Sequence, residues 1–150
     1  MGVVKNVGAA NRLWNRIGAT GLERTICDAA ATAACKYTLG GKPGMDPREV
    51  KESDLVLIWG HNPVSTSPHF VPLLREAQRN GAYVVVIDPR RTRSARSADL
   101  HIRPNPSTDA ALALGLIHLV FEAERHNAPW LDAHTVGWRE LRQRAADYPV

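Results

Sequence analysis

Two cysteines, Cys27 and Cys35, are all that the 150-residue chain contains, which excludes a disulfide-stapled scaffold and a four-cysteine zinc ribbon. Its six histidines show no metal-ligand spacing. Long apolar runs are missing too. The N-terminus, Met1-Gly2-Val3-Val4-Lys5, has no signal-peptide core, and no segment approaches the length of a membrane span. The chain therefore reads as soluble and cytoplasmic, a protein or a piece of one, with no membrane insertion. It has neither G-x-G-x-x-G nor G-x-x-x-x-G-K-S/T, so neither standard glycine-rich phosphate loop can be claimed. Net charge is only +4. A nucleic-acid binder shows a stronger bias with interleaved aromatics, so no nucleic-acid partner is expected.

What the chain does have is ordinary globular material. Apolar residues make up 44% and charged residues 23%, enough for a real core in one domain. The most informative stretch is Asp54-Leu55-Val56-Leu57-Ile58-Trp59-Gly60-His61-Asn62-Pro63, an apolar strand that breaks abruptly into Gly, Asn and Pro. The same logic returns at Ala82-Tyr83-Val84-Val85-Val86-Ile87-Asp88-Pro89-Arg90. Two buried-type strands separated by a helical segment describe a βαβ unit, hence an α/β fold with a parallel sheet. Ligands of such sheets bind at the carboxyl ends of strands.

Helices are expected over Ala9–Ile17, ended by Gly18, and over Leu22–Leu39, which is rich in alanine. Asp46-Pro47-Arg48-Glu49 fits a capping box, with Asp46 capping, Pro47 first in the helix and Glu49 reaching back. Ser67-Pro68 opens a helix that closes at Asn80-Gly81, with Pro72 unsettling its first turn. A third strand is expected at Leu100-His101-Ile102. Ser107-Thr108-Asp109 caps the longest helix, Ala110 to about Arg125, which looks largely buried. Trp130–His134 and Trp138–Ala146 read as short terminal helices.

Several residues could carry chemistry. Gly60 lets backbone approach a ligand and Asn62 both donates and accepts, although Asn-Pro is also a common turn initiator. Asp88 stands where an acid accepts from ribose hydroxyls, or simply caps the turn at Pro89. Arg90, Arg91 and Thr92 supply guanidinium forks and a hydroxyl suited to phosphate; the wider run to Arg96 equally fits a solvated basic surface. Thr108 and Asp109 fit a helix cap with an acid favourable to the dipole, or a carboxylate gripping the N1 and N2 donors of guanine. Cys27 is by default a core thiol, yet a thiolate near Arg24 and a helix start would be a soft metal ligand. His61 and His69 flank the first turn and read as local hydrogen-bonders.

These pieces occur in one familiar order. Leu55 to Pro63, Arg75-Glu76-Ala77 with Gly81-Ala82, Val86-Ile87-Asp88-Pro89-Arg90-Arg91-Thr92, Ala98-Asp99, Pro106-Ser107-Thr108-Asp109-Ala110-Ala111-Leu112 and Ala133-His134-Thr135-Val136-Gly137 together resemble the molybdopterin oxidoreductase domain of the dimethyl sulfoxide reductase family. The resemblance runs from about Asn11 onward. It implies a Rossmann-like three-layer αβα architecture. Residues 1–150 would form a dinucleotide-binding domain, a fragment of a larger catalytic subunit, binding one arm of bis(molybdopterin guanine dinucleotide). Gly60, Asn62 and Pro63 would line the cofactor, Asp88, Arg90 and Thr92 would meet ribose and phosphate, and Thr108 with Asp109 would read guanine. Cys27 falls where relatives place the molybdenum ligand. Relatives usually have Gly where this chain has Ser107.

The same resemblance implies partners in the remainder of the subunit and in electron-transfer subunits, and a 4Fe-4S cluster held by an N-terminal region not found in this chain. The fragment alone would be inactive, its redox chemistry on a small substrate belonging to the complete enzyme. Two alternatives stay open: a non-catalytic structural or electron-transfer subunit of the same fold, and a simple nucleotide-binding module.

Overall fold

The computed structural model describes residues 6–21 and 28–150. The chain divides into two compact units, Met1–Met45 and Asp46–Val150.

In the first unit, α1 spans Asn6–Arg16 and stops at Gly18, whose φ of +67° suits a residue without Cβ. Leu13, Trp14 and Ile17 are half exposed. The second helix, α2, spans Asp28–Leu39, and none of its residues is buried. Asp28 in its first turn accepts a 2.6 Å hydrogen bond from the Lys42 ammonium, an exposed pair of small worth. Cys27, the expected metal ligand, lies outside the described residues.

The second unit is built on a three-stranded parallel sheet in the order β1-β2-β3: β1 Leu55–Trp59, β2 Tyr83–Ile87 and β3 Leu100–Ile102. Leu57, Val85 and Leu100 lie abreast across it, as do Trp59, Ile87 and Ile102. Alternation along each strand sends Val56, Ile58, Val84 and Val86 to one face. There they pack with Phe70 and Leu74 of α4 (Phe70–Arg79), Ala95 and Ala98 into the hydrophobic core. Fully burying one such side chain contributes about 1.5–3 kcal/mol. The opposite face carries Leu55, Leu57, Tyr83 and Leu100, exposed between 43% and 55%. Parallel sheets are ordinarily covered on both sides.

Three expectations are corrected here. Asp46 does cap, its carboxylate accepting from the Arg48 amide at 2.9 Å, but Glu49 does not reach back. Arg48 folds over the same carboxylate instead, and Pro47–Glu52 forms a 3-10 helix rather than an α-helix. The helix after β1 does not open at Ser67-Pro68. A single turn, α3 (Pro63–Thr66), comes first, and α4 begins only at Phe70. Pro72 then sits in the first turn of α4, where its missing N–H would have had no helical partner. Finally, α6 (Asp109–Glu122) buries only Gly115 and Phe121, with Leu119 and Val120 40% and 46% exposed.

A one-turn helix, α5 (Arg93–Arg96), follows β2, and the C-terminal pair is α7 (Ala128–His134) and α8 (Trp138–Ala145). Phe121 of α6 stacks on Trp138 of α8 at 6.0 Å, with the His126 ring edge-on to Phe121 at 4.9 Å. No described helix is long and apolar enough to cross a membrane.

Candidate functional site

The carboxyl ends of the three strands open into three turns. At the first, the chain leaves β1 through Gly60, whose φ of +60° is the left-handed region that favours glycine. The Gly60 amide is tied across to the Ile87 carbonyl at 2.9 Å. Asn62 stands at the N-cap of α3 but does not cap it with its side chain. Its amide group donates to Ser65 Oγ at 2.9 Å, while Oδ1 accepts the Ser94 hydroxyl at 2.6 Å. Pro63, first in α3, is fully buried, so it shapes the turn from beneath rather than presenting a surface.

At the second turn, Asp88 Oδ1 accepts the Arg90 amide at 2.7 Å, which is the local turn cap. Its backbone is held on both sides. The Asp88 amide donates to the Ile102 carbonyl at 3.1 Å, and the Asp88 carbonyl lies 2.9 Å from His101 Nε2. Thr92 Oγ1 accepts the Ala95 amide at 3.1 Å and so caps α5, leaving its own proton to donate elsewhere. Ser94, 3% exposed, joins the first two turns: besides donating to Asn62 it accepts the Val64 amide at 3.3 Å.

Between these turns lies a pocket of about 380 Å³ lined by Asn62, Ser65, Arg90, Arg91, Thr92, Arg93 and Arg96. Four guanidiniums and three neutral hydrogen-bonding side chains line it, and no carboxylate does. Such a concentration of one sign focuses the field and favours a multiply charged anion. Arginine forks match phosphate oxygens in pairs. A phosphate or diphosphate is what this lining can hold.

At the third turn, Ser107 adopts φ +69°. The Thr108 hydroxyl donates to the Asn105 carbonyl at 2.7 Å and makes no cap to the helix. Asp109 is the first residue of α6, where an acid suits the helix dipole. Its Oδ1 accepts the Trp59 indole N–H at 2.6 Å. The structure thus gathers Asn62, Arg90 and Thr92 around one pocket. Asp88 adjoins through the Arg90 backbone, Gly60 and Pro63 shape the first turn, and Thr108 and Asp109 lie apart from the pocket lining.

Sequence reasoning passed over Ser65, Ser94 and Trp59. Arg93 and Arg96 could have been paired by their one-turn spacing. Trp59 carried a signal as well, the one aromatic closing an otherwise aliphatic strand. Asp99, quoted above only as part of a motif, takes a structural place. Its Oδ2 accepts the Val84 amide at 2.8 Å and Gln78 Nε2 at 3.3 Å. The Val84 backbone, then Gln78, hold its carboxyl below the usual carboxylate range.

A family model described as molybdopterin oxidoreductase matches residues 2–146. The probable oxidoreductase YoaE of Bacillus subtilis is 40% identical over 99% of this chain and 22% of its own length. The assimilatory nitrate reductase catalytic subunit of the same organism is 34% identical over 79% of this chain and 17% of its own length. Among solved structures, acetylene hydratase from Pelobacter acetylenicus superposes with a TM-score of 0.71 at 28% identity, covering 95% of this chain and 20% of that one. The chain thus spans about a fifth of the length of these proteins.

Proposed function

Because the chain belongs to the molybdopterin oxidoreductase family, we propose that it binds one guanine dinucleotide arm of a bis(molybdopterin guanine dinucleotide) and supplies the molybdenum ligand, Cys27. The carrying observation is the pocket in which Asn62, Ser65 and Thr92 face four arginines at the carboxyl end of a parallel sheet. This donor set fits a diphosphate. Arg90, Arg91, Arg93 and Arg96 would neutralise its charge, and the Thr92 hydroxyl and Ser65 would complete the hydrogen bonds. Asn62 presents less than its full capacity, since Ser94 and Ser65 already engage both ends of its amide.

Asp88 would receive a ribose hydroxyl on the oxygen that does not hold the Arg90 amide. Gly60 and Pro63 would shape the first turn against the pterin side. Thr108 and Asp109, at the start of α6, would meet the guanine base. When bound, the molybdenum–pterin group would supply the redox change, while the chain supplies binding, orientation and charge compensation. Oxidation or reduction of a small substrate belongs to the intact enzyme, together with the remaining catalytic subunit, electron-transfer subunits and any 4Fe-4S cluster.

Denaturing extraction of the intact protein tests this reading. It should release molybdenum and guanine nucleotide together, and Cys27→Ala should lower the molybdenum while leaving the nucleotide. Recovery of neither component from the wild type would refute the proposal. Molybdenum content unchanged in Cys27→Ala would remove the ligand assignment alone.

A further inference from the structure

One side chain outside the phosphate pocket is held by a contact that no local feature demands. Trp59 ends β1, and its backbone is fixed on the sheet opposite Ile87. Its indole Nε1–H donates to Asp109 Oδ1 at 2.6 Å, across 50 residues of sequence. No other side-chain hydrogen bond among the described residues joins positions so far apart. Asp109 itself is exposed, and at a helix N-terminus an exposed carboxylate needs no such partner to be content. An indole that is donor only, with no acceptor capacity, sets one oxygen of the carboxylate and thereby its plane.

We propose that Trp59 is a positioning residue for base recognition: its indole N–H orients the Asp109 carboxylate so that the carboxylate accepts from the two adjacent N–H donors of a guanine edge. This rests on the reading of Asp109 as the guanine contact given above. The chemistry is asymmetric. Oδ1 is committed in part to Trp59 through one lone pair, and Oδ2 takes no hydrogen bond from a described residue. A carboxylate with its plane fixed meets two parallel donors without first losing rotational freedom, which is where preorganisation gains affinity. Hypoxanthine presents only one of those donors, so a fixed carboxylate discriminates against it, and a freely turning one discriminates less.

Calorimetric titration of the full chain with GDP, IDP and inorganic pyrophosphate provides the test, on wild type, Trp59→Phe and Asp109→Asn. Phenylalanine keeps an aromatic ring, smaller than the indole, and has no N–H donor. Trp59→Phe should lose about tenfold in GDP affinity, the equivalent of one hydrogen bond to a charged group. IDP affinity should fall less and pyrophosphate affinity should stay as in wild type. Asp109→Asn should lose the preference for GDP over IDP altogether. A Trp59→Phe protein with wild-type preference, beside an Asp109→Asn protein without it, would overturn the positioning role and leave the guanine reading standing. Preference retained in Asp109→Asn, or absent from the wild type, would remove the guanine reading and this proposal with it.

The wild-type chain gives a second readout that does not depend on the variant folding. The Trp59 indole N–H resonance should shift on adding GDP and stay still on adding pyrophosphate. An indole signal that ignores GDP bound to the wild type would likewise overturn the proposal.

Discussion

Replacing Ser94 by alanine should cost the second unit about 2 kcal/mol. The side chain is 3% exposed, donates to Asn62 Oδ1 at 2.6 Å and accepts the Val64 amide at 3.3 Å. Alanine fills most of the same space, so the loss is one of hydrogen bonds rather than volume. A buried group left without a partner costs about 1–3 kcal/mol. Asn62 is only half buried, so water recovers part of its loss, and the Val64 bond is long; each group therefore counts near the lower limit. With a urea m-value of about 1.5 kcal/mol per molar for a unit this size, the midpoint should fall by about 1.3 M at unchanged slope. Tryptophan fluorescence follows the transition through Trp59, Trp130 and Trp138. Asn62→Ala alone should cost about 1 kcal/mol, and the double variant should fall short of additivity by a similar amount, since both remove the same bond. A Ser94→Ala midpoint within about 0.3 M of wild type, or two fully additive variants, would show that the turns hold their shape without this hydroxyl.

Two further outcomes follow from the same geometry. Ser107→Gly should raise stability by about 0.5–1 kcal/mol in the same urea assay, because a left-handed residue with a Cβ is strained at φ +69° and relief exceeds the entropy that glycine adds to the unfolded chain; a loss of stability would mean that the Ser107 side chain has its own anchoring role. Asp99→Asn should flatten the acid limb of the stability curve. The folded carboxyl titrates below its ordinary value of 3.8, so its contribution is whole above that pH and disappears as pH falls through the lower folded value. Melting temperatures from pH ~5 downward should converge between Asp99→Asn and wild type; parallel curves would remove Asp99 from the acid response.

The elements most legible in the sequence were those fixed by neighbours. Leu55–Trp59 and Tyr83–Ile87 announce themselves as strands because every residue is apolar, and Asn80-Gly81 ends α4 by a local backbone preference. Gly60 declared its turn for the same reason. What the sequence hid depends on partners far along the chain. Glu49 had the spacing to reach back to the Asp46 amide, but the segment winds as a 3-10 helix rather than the α-helical turn that a capping box needs, and Arg48 alone meets the Asp46 side chain. α5 was invisible because one turn has no periodicity, although Thr92 caps it. The apolar residues of α6 predicted burial, yet Leu119 and Val120 stay 40% and 46% exposed, since hydropathy registers what a residue tolerates and not what covers it. At the site, the arginine run was readable as charge, whereas the 32 residues between Ser94 and Asn62, and the 50 between Asp109 and Trp59, left no local trace.

Ser94 also turns one backbone proton into a gauge. The Val64 amide belongs to the turn after β1, but its acceptor hangs from the helix after β2. That proton exchanges with deuterated solvent only when the two segments part, so its protection reports the opening free energy of their joint and not of either alone. An anion seated among the neighbouring arginines would slow the exchange without touching Val64, and the whole region could be followed in time through a single labelled site.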